Sequence, residues 1–344
     1  MSKTIILAMP PVMGIEQAII RNLKFHGFEV IEIIYQEPKY RYPSLWAMLK
    51  KFFHYTLLKN KNYRKELRFS VVKPEFEDKL NRIDKKADYC LCLWPAHFPN
   101  SLMQMMRDKA EVMVHYNWES LDFFKEDFDK LPYFDHFYFF DPKDMGRYPE
   151  YGFKPITSFY FDDDTETESN NSLFFLGSYS PNRVEDIRSF HAAAEKTGLP
   201  IDFQLACPNP ETVQQELNLT GVHCFSSHHA VPYPKYLEMA KQAGVLIDFL
   251  NTKHYGLSLR TFEAIGFRKK LITTNPTVVH YDFYHPDNIL VWTGNNHQQL
   301  IDFLNTPYVE LPEHIRKKYG FKNWLDFVFD RPPYQAIHLP SINT

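Results

Sequence analysis

The chain has 344 residues, more than one α/β core organises comfortably and enough for two domains. Hydrophobic residues make up 44%, so each half can bury a core, and a formal net charge of −3 excludes the basic footprint of a nucleic-acid-binding domain. Cys90, Cys92, Cys207 and Cys224 show neither a disulfide framework nor C-x-x-C zinc spacing, and no apolar stretch approaches the ~18 residues of a spanning helix, which together suggest a cytoplasmic protein.

The apolar run Lys3 to Ala8 predicts a strand, with Pro10 to Gly14 as the loop after it. Ile15 to Phe25 has helical spacing, Gly27 ends it, and Phe28 to Tyr35 reads as a second strand. Ser44 to Phe69 carries seven Lys/Arg against one acidic residue, +6 by difference, interleaved with Trp46, Phe52 and Phe53. Such a mixture suits peripheral contact with a membrane surface, whereas a solvated helical face is the plainer reading. Strands are expected at Tyr89–Leu93, Val112–His115 and His136–Phe140. The acidic, core-free stretch Asp162 to Asn171 reads as a linker.

Beyond it the alternation restarts more clearly. Strands are expected at Leu173–Leu176, Ile201–Leu205, Val222–Phe225, Val245–Phe249, Lys270–Thr274 and Ile289–Trp292. Helices are expected at Val184–Lys196, Glu211–Leu217, Tyr233–Ala243, Leu259–Ile265 and His297–Leu304, with a last one at about His314–Phe329. Alternating βα units predict doubly wound parallel sheets, which bind ligands at their strand C-termini.

The segment Tyr255 to Gly266 concentrates the chemistry. Gly256 permits close backbone approach, Ser258 is a good N-cap, and the free amides of the following turn favour an anion such as a diphosphate. Arg260 sits in that turn and Glu263 three residues on, where its carboxylate can accept the hydroxyls of a ribose. An ordinary surface ion pair between Arg260 and Glu263 is the competing reading. Gly177, Ser178 and Arg183, in a small-residue loop between strand and helix, form a second place for phosphate. Tyr233 and Tyr236 share a helix face and can wall a base or ribose, with core packing equally open. His228, His229 and Cys224 are not spaced as a metal set, and Asp162 to Asp164 lies in the linker, so no metal or other cofactor is expected.

The run Tyr255-Gly256-Leu257-Ser258-Leu259-Arg260-Thr261-Phe262-Glu263-Ala264-Ile265 resembles the donor-site helix of GT-B glycosyltransferases, most nearly the bacterial group 1 and CgeB-like enzymes of polysaccharide and lipopolysaccharide assembly. The likeness covers about 173–305 well and the first half more loosely. It implies two Rossmann-like α/β domains facing across a cleft. Residues 1–160 would bind the acceptor, 172–310 the nucleotide sugar, and 311–344 would return to the N-terminal domain. It places the ribose-binding carboxylate at Glu263 and donor contacts at Gly177, Ser178, Arg183, Tyr233, Tyr255, Gly256, Ser258 and Arg260. Many retaining members carry a second Glu eight residues earlier; Tyr255 stands there, which leaves the stereochemistry open. In an inverting transfer a base takes the acceptor's proton, and Glu119, then Asp141 and His97, are the candidates. Met13 and Gly14 would contact acceptor or phosphate. The implied activity is sugar transfer to a lipopolysaccharide or capsule acceptor, free or lipid-linked, on the inner face of the plasma membrane. An epimerase of the same fold and a non-catalytic hinged binding protein are the rivals.

Overall fold

The computed structural model describes residues 2–41, 44–56, 60, 62–123, 125–252 and 254–341. Among these, the strands form two six-stranded sheets. The first contains β1 (Lys3–Met9), β2 (Phe28–Ile34), β3 (Ala87–Cys92), β4 (Ala110–Asn117), β5 (His136–Phe139) and β6 (Lys154–Pro155). Their order is β2-β1-β3-β4-β5-β6. Ile5 to Met9 are wholly buried, as befits a parallel strand with neighbours on both sides and both faces covered. Cores of Ile, Met and Phe side chains, among them Ile33, Phe69, Phe76 and Met103, pack against this sheet.

The second sheet contains β7 (Leu173–Ser178), β8 (Ile201–Cys207), β9 (Val222–Ser226), β10 (Val245–Asp248), β11 (Lys270–Thr273) and β12 (Ile289–Val291), in the order β12-β11-β10-β7-β8-β9. All its pairings are parallel. The chain winds outward from β7 through β8 to β9, then returns to the other side of β7 and winds outward again from β10. The reversal falls between β7 and β10. That seam is thin: β10 and β7 share two residue pairs, Val245 with Leu173 and Leu246 with Phe174, whereas β7 and β8 share six. Past Phe174 the two strands part.

The chain divides into two compact units, the first of residues Met1–Val12, Ile19–Phe139 and Tyr148–Lys154, the second of Met13–Ala18, Phe140–Arg147 and Pro155–Thr344. Segments 13–18, 140–147 and 155–160 therefore group with the second unit rather than the first, as sequence alone placed them. So do residues 311–344, expected to return to the N-terminal domain. The cause is packing: Phe321 and Trp324 lie 5.0 and 4.6 Å from Phe159, ring centre to ring centre, and the Trp324 indole N–H donates to the Thr157 carbonyl at 3.0 Å. The acidic stretch after Asp162 is likewise fastened to this unit. Asp162 accepts from the Lys322 amide at 3.1 Å, Asp164 pairs with Lys241, and Lys269 Nζ donates to the Glu168 carbonyl at 2.7 Å.

The expected single helix at 314–329 is two, Glu313–Lys318 and Phe321–Val328. The break has a backbone reason. The Tyr160 amide donates to the Tyr319 carbonyl at 3.1 Å and the Phe321 amide to the Tyr160 carbonyl at 2.9 Å, a bridge that a continuous helix would forbid. In the first unit, helices Leu45–Thr56 and Asn62–Phe69 occupy the segment read as a helical face or membrane patch, and Lys73–Asn81 and Asn100–Asp108 fill segments that sequence reading left unassigned. Among the described residues, no helix is long and apolar enough to cross a membrane.

Candidate functional site

A pocket of about 230 Å³ opens over the C-terminal ends of β7, β8 and β9, beside the seam where the winding reverses. Gly177 and Ser178 line it from β7, Ala206 from β8 and Phe225 from β9. The loop residues Ala230 and Val231, helix residues Tyr233 and Tyr236, and Ser258, Leu259, Arg260 and Glu263 form the opposite wall. Met13 completes it, and every lining residue belongs to the second unit. A crevice outside strand C-termini at a reversal of winding is where open α/β sheets hold ligands. At this volume it accommodates a small ligand or part of a larger one, since sites that enclose drug-sized ligands run from ~300 Å³ upward.

The side chains beneath the pocket form a closed network. Glu263 is 0% exposed, and its two carboxylate oxygens accept from the hydroxyls of Tyr233 and Tyr236. Those tyrosines stand three residues apart on the helix Tyr233–Gln242, so both reach the same partner. Burial holds the Glu263 carboxyl above its ordinary value, against the two tyrosine bonds and the Arg260 charge, which pull it down. Burial first, and then the Glu263 charge, hold both phenols well above theirs.

Arg260 spans the seam. Its guanidinium pairs with Asp248, the last residue of β10, at 2.9 Å and donates to the carbonyl of Leu176 in β7. It lies 4.9 Å above the Phe175 ring. Burial lowers its affinity for the proton, and Tyr236, Asp248 and Glu263 more than offset that. Arg260 and Glu263 thus do not form the surface ion pair of the competing reading. Glu263 is buried and Arg260 largely so, and both reach the pocket while engaged with other partners.

Ser258 stands at the N-cap of the helix Leu259–Gly266, as expected, but its hydroxyl does not cap it. The Ser258 Oγ is buried with no hydrogen-bond partner and belongs to the pocket wall. The helix's first turn, whose amides precede any intrahelical acceptor, is therefore presented to the pocket with a spare hydroxyl beside it. Gly177 is required by packing: a Cβ there would stand 2.8 Å from the Phe175 ring. Gly256 is buried against Phe140, with a Cβ position 2.9 Å from the Phe140 carbonyl oxygen.

Several expected site residues serve the loops instead. Arg183 does not line the pocket; its guanidinium donates to the carbonyls of Ser178 at 3.3 Å and Leu250 at 3.5 Å, which fixes the loop after β7. Tyr255 also stands outside the lining. Its amide donates to Asp141 Oδ1 at 3.2 Å, and Lys143 Nζ sits 3.6 Å above its ring. Asp141 is buried outside the pocket lining, and its Oδ1 also accepts from the Lys143 amide at 3.1 Å, so it holds two backbone amides. Met13 lines the pocket and its carbonyl accepts from the Tyr233 amide at 2.6 Å. Gly14, at φ +81°, packs a Cβ position 3.2 Å from Pro234.

Glu119 and His97 belong to the first unit. Glu119 is exposed two residues past β4, where Asn117 holds its backbone: the Asn117 amide group donates to the Glu119 carbonyl at 2.7 Å. His97 lies exposed on a short turn, and desolvation, then the Lys65 ammonium, lowers its pKa. His228 and His229 are exposed, and among the described residues no three His, Cys, Asp or Glu side chains converge as a metal set. The seam's Asp248–Arg260 pair and the wall at Phe225 to Val231 carry no spacing signal. Their only sign in sequence is position, at or just past the ends of predicted strands for Asp248 and for Phe225 to Val231 and in the first turn of a predicted helix for Arg260.

Neither a protein-family model nor any curated protein sequence matches the chain. Solved structures do match. The lipopolysaccharide outer core galactosyltransferase WaaB, in its apo form, aligns with a TM-score of 0.50 at 12% identity over 96% of this chain and 100% of that one. A glycosyltransferase from Rickettsia africae ESF-5 aligns at 0.46 and 11% identity, over 97% and 100%. A UDP-N-acetylglucosamine 2-epimerase aligns at 0.48 and 7% identity, over 99% and 100%. The likeness to WaaB defines the fold: two α/β Rossmann-like domains of the GT-B type.

Proposed function

We propose that the protein is a glycosyltransferase that takes its sugar from a nucleotide-sugar donor held by the second unit. The observation that carries this reading is the pocket at the winding reversal, walled by a helix amino end, the unsatisfied Ser258 hydroxyl and the Glu263 carboxylate. The first turn of Leu259–Gly266 and the Gly177–Ser178 loop would receive the diphosphate. Each Glu263 oxygen accepts one tyrosine hydroxyl and retains a further lone pair, so a ribose diol can add to the tyrosine bonds or replace them. Arg260 stands in this wall and fixes the seam. The departing nucleotide is stabilised by fixed dipoles already oriented, without a bound metal. Glu119 is the base that would take the acceptor's proton.

The acceptor we infer is a bacterial surface glycan, lipopolysaccharide or capsule, presented at the cytoplasmic face of the membrane. The likeness in fold to WaaB, a lipopolysaccharide outer core galactosyltransferase, supports that class. Thermal-shift titration against UDP-, GDP-, dTDP- and CMP-sugars, with and without EDTA, tests the donor assignment. One nucleotide should raise the melting temperature in both conditions, and release of that nucleotide should require a glycan acceptor. No shift with any of them refutes the reading.

A further inference from the structure

The helix Leu45–Thr56 in the first unit turns its apolar side to solvent. Leu45 is 80% exposed, Trp46 74%, Leu49 58% and Phe52 65%. At 100° per residue these four fall within an arc of about 120°. The exposed face is therefore the one a globular protein would bury, and it is contiguous rather than scattered.

Charge identifies what covers it. Residues 39–69 contain nine Lys/Arg (39, 41, 50, 51, 59, 61, 64, 65, 68) against the single acid Glu66, a balance of nine minus one, or +8. The remaining chain carries thirty Lys/Arg against forty-one Asp/Glu, or −11, so positive charge is concentrated in this stretch of sequence, where Arg68 is paired with Glu37. Lys39, Arg41 and Arg64 are exposed. The side chains of Lys50 and Lys51 lie outside the described ones, though their charges count in the balance. A second copy of this face would set +8 against +8. An anionic lipid surface satisfies both features at once: the headgroups meet the charges, and Trp46, Leu49 and Phe52 enter the acyl boundary beside them.

We propose that Leu45–Thr56 is an in-plane membrane anchor that docks the protein on anionic bilayers. Since none of its residues belongs to the nucleotide pocket, this proposal stands or falls apart from the catalytic one.

Flotation of the full chain with vesicles tests it. Binding should be strong on phosphatidylglycerol-containing vesicles, weak on pure phosphatidylcholine, and should fall as salt rises. Trp46→Ala with Phe52→Ala should lower the partition coefficient by roughly tenfold or more, because two exposed rings lose their insertion. Arg64→Glu should lower it several-fold. Circular dichroism should show all variants folded, since these side chains are exposed. Equal binding to both vesicle types, or unchanged binding by the double variant, overturns the proposal. So does a concentration-dependent dimer, seen by analytical ultracentrifugation, that the double variant abolishes; the face would then be covered by a second copy.

Discussion

Tyr236→Phe isolates the bond that closes the network under the pocket. Tyr236 is 6% exposed, and its hydroxyl donates to one oxygen of a wholly buried carboxylate. Phe keeps the ring and hence its position 6.2 Å from Phe174 and 5.7 Å from Arg260. What is lost is the hydrogen bond to the Glu263 carboxylate, worth about 1.5–3 kcal/mol, together with the hydroxyl's contact with the Arg260 side chain, and a Glu263 oxygen is left short of a donor. For a domain of this size that is a fall of roughly 3–12 °C in melting temperature. Calorimetry of wild type, Tyr236→Phe, Glu263→Ala and the double variant reads it. Glu263→Ala alone leaves two buried phenols without an acceptor and should cost about 2–5 kcal/mol, so it perturbs folding as well as ligand binding. In that background Tyr236→Phe should cost less, because only the Arg260 contact remains. If Tyr236→Phe stays within about 0.5 kcal/mol of wild type, or costs the same in both backgrounds, the network argument fails.

The raised Glu263 pKa gives a pH signature. The folded chain keeps a proton that the unfolded chain releases near the ordinary value of 4.5, so this contribution is full below that value and is lost as pH rises through the higher folded pKa. Glu263→Gln should flatten the fall of melting temperature over that window; parallel curves would refute the assignment. Glu119→Gln should cut turnover by about 10²–10⁴-fold with donor affinity intact, and retained turnover removes Glu119 as the base. Gly256→Ala should cost about 1–3 kcal/mol, because the added Cβ meets the Phe140 carbonyl and ring; an unmoved melting temperature would show that the loop yields.

The second sheet was readable almost strand for strand, because buried parallel strands and amphipathic crossover helices leave opposite periodicities. β10 was expected at Val245–Phe249 and spans Val245–Asp248; the helix expected at Tyr233–Ala243 spans Tyr233–Gln242. The pocket's residue types were readable too, since Gly177, Ser178, Tyr233, Ser258, Arg260, Glu263 and Met13 all line it. Their partners were not. The Arg260–Asp248 bond joins residues twelve apart through the fold, and the Tyr233–Glu263 bond spans thirty. No local spacing rule reaches so far. Asp141 looked catalytic because it follows a strand, but a strand end also suits a carboxylate that holds backbone amides, which is its task here. The helix Lys73–Asn81 stayed hidden because its apolar face is short, Phe76 and Leu80 alone.

The two-pair seam between β10 and β7 bears on how the second unit opens. A sheet usually resists parting along its whole length, but here the strand ladder joining β7-β8-β9 to β10-β11-β12 is two residue pairs long, and beyond it only side chains carry the join: the Arg260 tie, the Arg183 bond to Leu250 and the shared core of Phe175, Phe190, Phe249 and Trp292. Native-state hydrogen exchange should then resolve them as separate cooperative blocks, each held by its own ladder. A ligand lying across the strand ends touches both blocks, so occupancy would merge their exchange into one slower process. The weakest line in the sheet is where binding adds most to its cohesion.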